Sequence, residues 1–138
     1  MASIFTRIVN GEIPAAKLYE DELTLAFLDI NPASRGHTLV ICKPELPSIL
    51  DLPPELLCAV SSTTQRVAQA LTRALQPDGI NIIQNNGAAA GQTVFHYHVH
   101  VIPRWNGDRA VGAWHPGRIS AEEQRALVTL LRAQFDAS

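Results

Sequence analysis

The stretch 92-QTVFHYHVHVIP-103 governs how the rest of the chain is read. His96, His98 and His100 alternate with Tyr97, Val99 and Val101, and Thr93 to Ile102 has the strongest strand character in the sequence, stopped by Pro103. Side chains on a strand repeat every second residue, so the three imidazoles share one face, with neighbouring Cα atoms about 7 Å apart, while the apolar partners face a core. Three readings fit this pattern. The first is a polar sheet edge with unremarkable histidines, although imidazoles fill cores poorly and add little to an exposed strand. The second is a metal site, since histidines at i and i+2 on a strand can ligate zinc; no fourth ligand stands nearby, and Cys42 and Cys58 are remote. The third is nucleophilic and acid–base chemistry on an anion. The loop just upstream, Asn85 to Gln92 with Gly87 and Gly91, bears on that choice. Glycines let backbone N–H groups approach a ligand. Gln92 and Thr93 add neutral donors of the kind that suit a phosphate gaining charge in a transition state. Eight residues exceed the ~2–5 of an ordinary hairpin connection.

Working outward, Ile80–Gln84 reads as a strand leading into that loop. Before it, Pro53-Pro54 opens a long helix running to about Gln76, with Leu56, Leu57, Val60, Thr64, Val67, Ala68, Leu71 and Leu75 on one stripe and Pro77-Asp78-Gly79 ending it. Lys17–Glu20, Thr24–Ile30 and His37–Lys43 read as three strands of an antiparallel meander, divided by Glu20-Asp21-Glu22 and by Asn31-Pro32. Ser3 caps a short helix that Asn10-Gly11 stops. After Arg104 the chain is loop-like through Gly117, and Ser120 with Glu123 forms a capping box for a final helix from Ala121 to about Phe135. The expected fold is α+β: an antiparallel sheet of about five strands with the long helix packed on it, a short N-terminal helix and an extra C-terminal one, all in one domain over residues 1–138.

Composition narrows the function classes. The chain has 138 residues, 46% hydrophobic and 17% charged, enough to bury a core without disulfides or a structural metal. A net charge of −2 argues against a nucleic-acid coat or a membrane-surface protein, both of which need a basic excess. Two cysteines without CxxC spacing exclude a disulfide framework and fit a reducing compartment. No apolar leader and no run of ~18 apolar residues stands out, so the expected location is cytoplasmic.

His96-Tyr-His98-Val-His100-Val-Ile102 resembles the signature of the histidine triad (HIT) family. The likeness extends along SIFTRIVNGEIPAAKLYEDE, AFLDINPASRGHTLVICK and IIQNNGAAAGQTVFHYHVHVIP to the branch of histidine-triad nucleotide-binding proteins, through residue 103 and weakly beyond. This resemblance implies that His98 is a nucleophile attacking the α-phosphorus of a nucleoside phosphoramidate, with a nucleotidyl-histidine then hydrolysed by water. It implies that His100 contacts phosphoryl oxygens, that the His96 carbonyl fixes the His98 tautomer, and that His37 completes a buried relay. Thr93 is expected to donate to the leaving group, and Asn85, Gln92 and Gly91 to bind phosphate. Asp29 is expected to accept both ribose hydroxyls. Ile4, Phe5, Ile8, Ile13, Phe27, Ile30 and Leu39 include base-pocket positions of relatives, of which Phe5, Phe27 and Ile30 are taken as pocket wall.

The resemblance also implies a purine nucleotide ligand (AMP or GMP), a homodimer with a sheet continuous across a two-fold axis, and no cofactor, while the net charge of −2 is the ground for expecting no nucleic-acid or membrane partner. Some bacterial relatives bind zinc through two N-terminal cysteines and a histidine after a Lys-Pro step; those places hold Ser3, Thr6 and Glu45 here, so no metal is expected although His96 remains. The C-terminal region departs from the eukaryotic relatives, and Trp105, Trp114 and His115 are candidates for the leaving-group side, in cis or from a partner subunit. Two rival readings stay beside the phosphoramidase: a diadenosine polyphosphate hydrolase of the same family, and a nucleotide-binding module acting mainly through a protein partner.

Overall fold

The computed structural model describes residues 1–112 and 114–136. Five strands, β1 (Lys17–Glu20), β2 (Thr24–Leu28), β3 (Thr38–Cys42), β4 (Gly79–Ile83) and β5 (His98–Arg104), form one sheet in the order β1-β2-β3-β5-β4, with every neighbouring pair antiparallel. The helices are α1 (Ile4–Val9), α2 (Pro54–Leu75) and α3 (Ala121–Asp136). This is the expected α+β architecture, with several element ends displaced.

Both sheet faces are covered at the centre, which is why TLAFL and TLVIC read as nearly continuous apolar runs. On one face Ala26, Val40, Cys42, Val99 and Val101 pack against Leu56, Val60, Val67 and Leu71 of α2. On the other, Leu25, Phe27, Leu39 and Ile41 pack with Phe5 and Ile8 of α1. Thr63 of α2, outside the predicted stripe, is buried because its hydroxyl meets that of Thr24 at 2.7 Å. Pro54 occupies the first turn of α2, where a missing N–H costs nothing, and Gln76 closes the helix in the left-handed region at φ 51°.

The predicted strand Thr93–Ile102 is corrected at both ends. β5 begins only at His98, because the Tyr97 N–H bonds to the Leu46 carbonyl instead of entering the sheet. It runs through Pro103 to Arg104, since β3 pairs with β5 only as far as Val101 and no ladder partner there needs an N–H from Pro103. Side-chain alternation nevertheless reaches back to Tyr97, which packs in the α2-side core, and to His96, whose ring meets Phe5 on the opposite side. β2 stops at Leu28 rather than Ile30: Asp29 Oδ1 accepts the Asn31 N–H at 2.8 Å and turns the chain. β4 spans Gly79–Ile83, one residue earlier than expected at each end, and the 85–92 loop contains a 3-10 turn at Ala88–Ala90.

The turn into β3 requires glycine. Gly36 has φ +91°, and a Cβ there would lie 2.6 Å from Leu75 Cδ1. The chain thus approaches the end of α2 closely, and His37 follows directly. Before α3, Ser120 Oγ accepts the Glu123 N–H at 3.1 Å, one half of the predicted capping box. Val128, Leu130 and Leu131 of α3 are exposed.

Candidate active site

The face of β5 opposite α2 opens into a cleft of about 360 Å³ between α1, the end of β2 and β5. His98 and His100 line it at one side with Thr93 and Val94, and Asp29, Ile30 and Asn31 line the other. All seven apolar positions named from the resemblance, Ile4, Phe5, Ile8, Ile13, Phe27, Ile30 and Leu39, are on its wall, joined by Pro14, Ala15 and Leu28. Ile30 is 87% exposed, so it forms a rim rather than a core contact. The Phe5 ring stands edge-on to His98 with centroids 5.0 Å apart, and the His100 ring lies 5.1 Å from His98 on the cleft side.

Main-chain groups fix the protons on these rings, because a backbone N–H can only donate and a carbonyl can only accept. Burial pushes His37, His96 and His98 below the ordinary 6.5, and burial followed by the nearby His98 and His37 rings pushes His100 down to about 4. All four are therefore neutral at pH 7. His98 Nδ1 is 2.6 Å from the His96 carbonyl, so Nδ1 carries the proton and Nε2 keeps its lone pair. The Ala33 N–H donates to His37 Nδ1 at 2.9 Å, so the His37 proton is on Nε2, which donates to His100 Nδ1 at 2.9 Å. His100 is left with Nε2–H as its donor. His96 Nε2 donates to the Cys42 carbonyl at 2.6 Å, so its Nδ1 accepts the Ser3 hydroxyl at 2.7 Å. One lone pair and one N–H, on neighbouring rings of one cleft, are the chemical result.

His96 is fully buried beneath the cleft instead of lining it. Ser3 and Thr6 at the start of α1 meet Glu45, about forty positions away, at its Nδ1 edge: Glu45 Oε1 accepts the Ser3 N–H and the Thr6 hydroxyl, both at 2.6 Å. Burial pushes the Cys42 thiol up to about 11, so this residue serves the site through its carbonyl and not as a thiolate.

Asp29 lies 3.6 Å from His37 Nε2 through Oδ2. Asp29, His37 and His100 bring three potential metal-ligand atoms within 4.8 Å of one another. The hydrogen bonding opposes that use, since the Ala33 N–H occupies His37 Nδ1 and leaves the proton on the Nε2 that would have to bind the ion.

Gln92 requires a correction. Its side chain is buried within the preceding loop: Oε1 accepts the Gly87 N–H at 2.7 Å, and Nε2 donates to the carbonyls of Pro47 at 2.6 Å and Val94 at 3.1 Å. Both amide hydrogens are consumed, so Gln92 holds the loop's shape and is not a phosphate donor. Gly91, at φ +95°, spends its N–H on the Ala88 carbonyl. The Asn85 amide lies beside Gly91 and makes no side-chain hydrogen bond among the described residues. Trp105, Trp114 and His115 do not line the cleft. Ala33 and Cys42, missed from sequence, act through their backbones, while Ser3, Thr6 and Glu45, named as places where relatives hold zinc ligands, act through hydrogen bonds that no local motif announces.

The fold, with a histidine-bearing strand flooring an apolar cleft, defines a class, and comparison with known proteins places the chain in it. The HIT domain model matches residues 10–107, and the chain belongs to the HIT family, in its histidine-triad nucleotide-binding branch. It is 44% identical over 110 residues to Protein hit of Bacillus subtilis, covering 80% of this chain and 76% of that protein. It is 42% identical over 128 residues to the adenosine 5'-monophosphoramidase hnt1 of Schizosaccharomyces pombe, covering 92% of this chain and 93% of that protein. The crystal structure of a HIT family protein from Bacillus anthracis superposes with a TM-score of 0.90 at 38% identity, covering 96% of each chain.

Proposed function

We propose that this protein is a nucleotide hydrolase acting on purine nucleoside 5′-phosphoramidates through a covalent nucleotidyl-His98 intermediate. The observation that carries the reading is the His98 Nδ1–H bond to the His96 carbonyl, which leaves an unprotonated Nε2 in the cleft at neutral pH. Similarity to the fission yeast adenosine 5'-monophosphoramidase supports the substrate class.

His98 Nε2 attacks the α-phosphorus; the N–P bond to the ring forms as the P–N bond to the leaving amine breaks. The amine departs with a proton taken from solvent and relayed past the Thr93 hydroxyl. The ring, now phosphorylated at Nε2 and still protonated at Nδ1, is cationic, and the His96 carbonyl stabilises it. Water then attacks phosphorus, the bond from phosphorus to Nε2 breaks, and the proton that the water loses returns to solvent, which releases the nucleoside monophosphate and restores the neutral ring. His100 Nε2–H donates to phosphoryl oxygens, oriented by the chain Ala33 N–H, His37, His100. The Asn85 amide serves as a further phosphate donor. Asp29 takes the ribose diol, and Phe5, Phe27 and Ile30 take the base. No step is routed through a metal.

Residues 1–138 act as one domain, and the protein works as a homodimer inside the cytoplasm. Support for the dimer lies in β4, an edge strand with Ile82 half exposed, and in the exposed leucines of α3; no helix among the described residues is long and apolar enough to cross a membrane. The test is turnover of adenosine 5′-phosphoramidate to AMP by the wild-type protein and by His98→Asn. Loss of turnover with AMP affinity kept supports the reading, and near-normal turnover of His98→Asn contradicts it.

A further inference from the structure

Glu45 follows the β3 strand, lies outside the cleft, and is exposed. Exposed carboxylates are ordinarily solvated charges of little structural consequence. Here a single oxygen of Glu45 accepts two hydrogen bonds from the start of α1, from the Ser3 N–H and the Thr6 hydroxyl. Ser3 is the N-cap of α1: its Oγ accepts the Thr6 N–H at 3.0 Å and its hydroxyl donates to His96 Nδ1 at 2.7 Å. The His96 ring is consequently pinned at both nitrogens, by Ser3 on one side and the Cys42 carbonyl on the other. The same residue's carbonyl orients His98. A second route reaches His98 through α1 itself, because Phe5, two residues past the cap, packs edge-on against both the His96 and His98 rings.

We propose that Glu45 is a positioning residue for His98, acting through Ser3 and Thr6 on the His96 ring and through the seating of α1 on Phe5. The proposal rests on His98 being the reacting ring, and it carries a readout that does not depend on activity. If Glu45 only caps a short helix, its loss lowers stability and leaves the rings alone. If it positions His98, the bond between His98 and the His96 carbonyl changes as well.

Four proteins separate these cases: wild type, Glu45→Gln, Glu45→Ala, and Glu20→Ala, which removes another exposed carboxylate, from β1. The first readout is the proton NMR signal of His98 Nδ1–H and of His96 Nε2–H, each held in a 2.6 Å bond to a carbonyl. The second is kcat/KM for adenosine 5′-phosphoramidate. Glu45→Ala is expected to shift or broaden both ring signals and to lower kcat/KM by about tenfold, the scale on which slight misplacement of a reacting group acts. Glu45→Gln keeps a carbonyl oxygen for both donors, so its signals stay in place and its kcat/KM stays within about threefold of wild type. Glu20→Ala matches wild type in both. With an active wild type, unmoved ring signals or unchanged kcat/KM in Glu45→Ala overturns the proposal, as does an equal loss in the Gln and Ala variants. A wild type without turnover refutes the proposed function, and the ring signals still decide the role of Glu45. Where Glu45→Ala does not fold, Thr6→Val removes one of the two donors and leaves the Ser3 cap; unmoved ring signals there overturn the proposal equally.

Discussion

Lowering the pH across the histidine range should destabilise this protein, and His100 gives the scale of one part of that loss. Burial and the neighbouring His98 and His37 rings hold His100 at about 4, against an ordinary value of 6.5. A folded-state value below the unfolded one means that the unfolded chain binds more protons between those two pH values. The stability His100 contributes is whole above pH 6.5, is lost progressively as the pH falls to about 4, and changes no further below that. At 1.36 kcal/mol per pH unit the gap is worth about 3 kcal/mol, a large part of the ~5–15 kcal/mol that holds a typical domain folded. His37, His96 and His98 are lowered by burial too and add losses of the same sign. Urea unfolding of wild type and His100→Asn, followed from about pH 7.5 to about 4.5, isolates the His100 share as a difference in slope. The variant is less stable at neutral pH, having lost the His37 bond, but its stability should fall less steeply by about 1 kcal/mol per pH unit between 6.5 and 4.5. Parallel curves would refute the argument, since they would mean that His100 titrates alike in the folded and unfolded chains.

Other perturbations probe the remaining parts. Ser3→Ala removes the α1 cap and leaves buried His96 Nδ1 without its 2.7 Å partner, so chemical denaturation should show a loss of about 2 kcal/mol. Asp29→Ala should weaken binding of AMP more than that of 2′-deoxy-AMP in calorimetric titrations, and equal losses would remove the ribose role. Gln92→Ala should act through loop order: it frees the Gly87 N–H and the Pro47 carbonyl, so amide exchange across residues 85–92 should accelerate while unfolding elsewhere changes little. Sedimentation velocity should give a dimer, and a charged residue in place of Ile82 on the β4 edge should shift it towards monomer.

What could be seen in the sequence follows from how far each signal reaches along the chain. The period-two run at His96–Val101, the 3.6-period stripe of α2, the Ser3 and Ser120 caps and the Pro and Gly breaks are local, and they gave every strand and α-helix its type, while the 3-10 turn at Ala88–Ala90 carried no such signal. Ends were misjudged where long-range bonds decide them: the Tyr97 N–H leaves the sheet for Leu46, and the Asp29 carboxylate turns the chain before Ile30. The alternation placed His98 and His100 on the cleft face, and the family likeness supplied the apolar wall. Gln92 looked like a ligand donor because an amide beside a glycine loop carries no sign of which way it points. Its bond to Pro47 crosses 45 positions. The Ser3–His96 contact crosses 93, and no window of sequence contains both ends.

The central claim is that His98 bonds transiently to phosphorus. Intact mass spectrometry of wild type mixed with adenosine 5′-phosphoramidate and quenched in mild base, where a phosphorus–imidazole bond survives, tests it directly. The account predicts a species heavier by one adenylyl group, mapped to His98 and missing from His98→Asn. Turnover by the wild type with no such species, or the same species on His98→Asn, would contradict it.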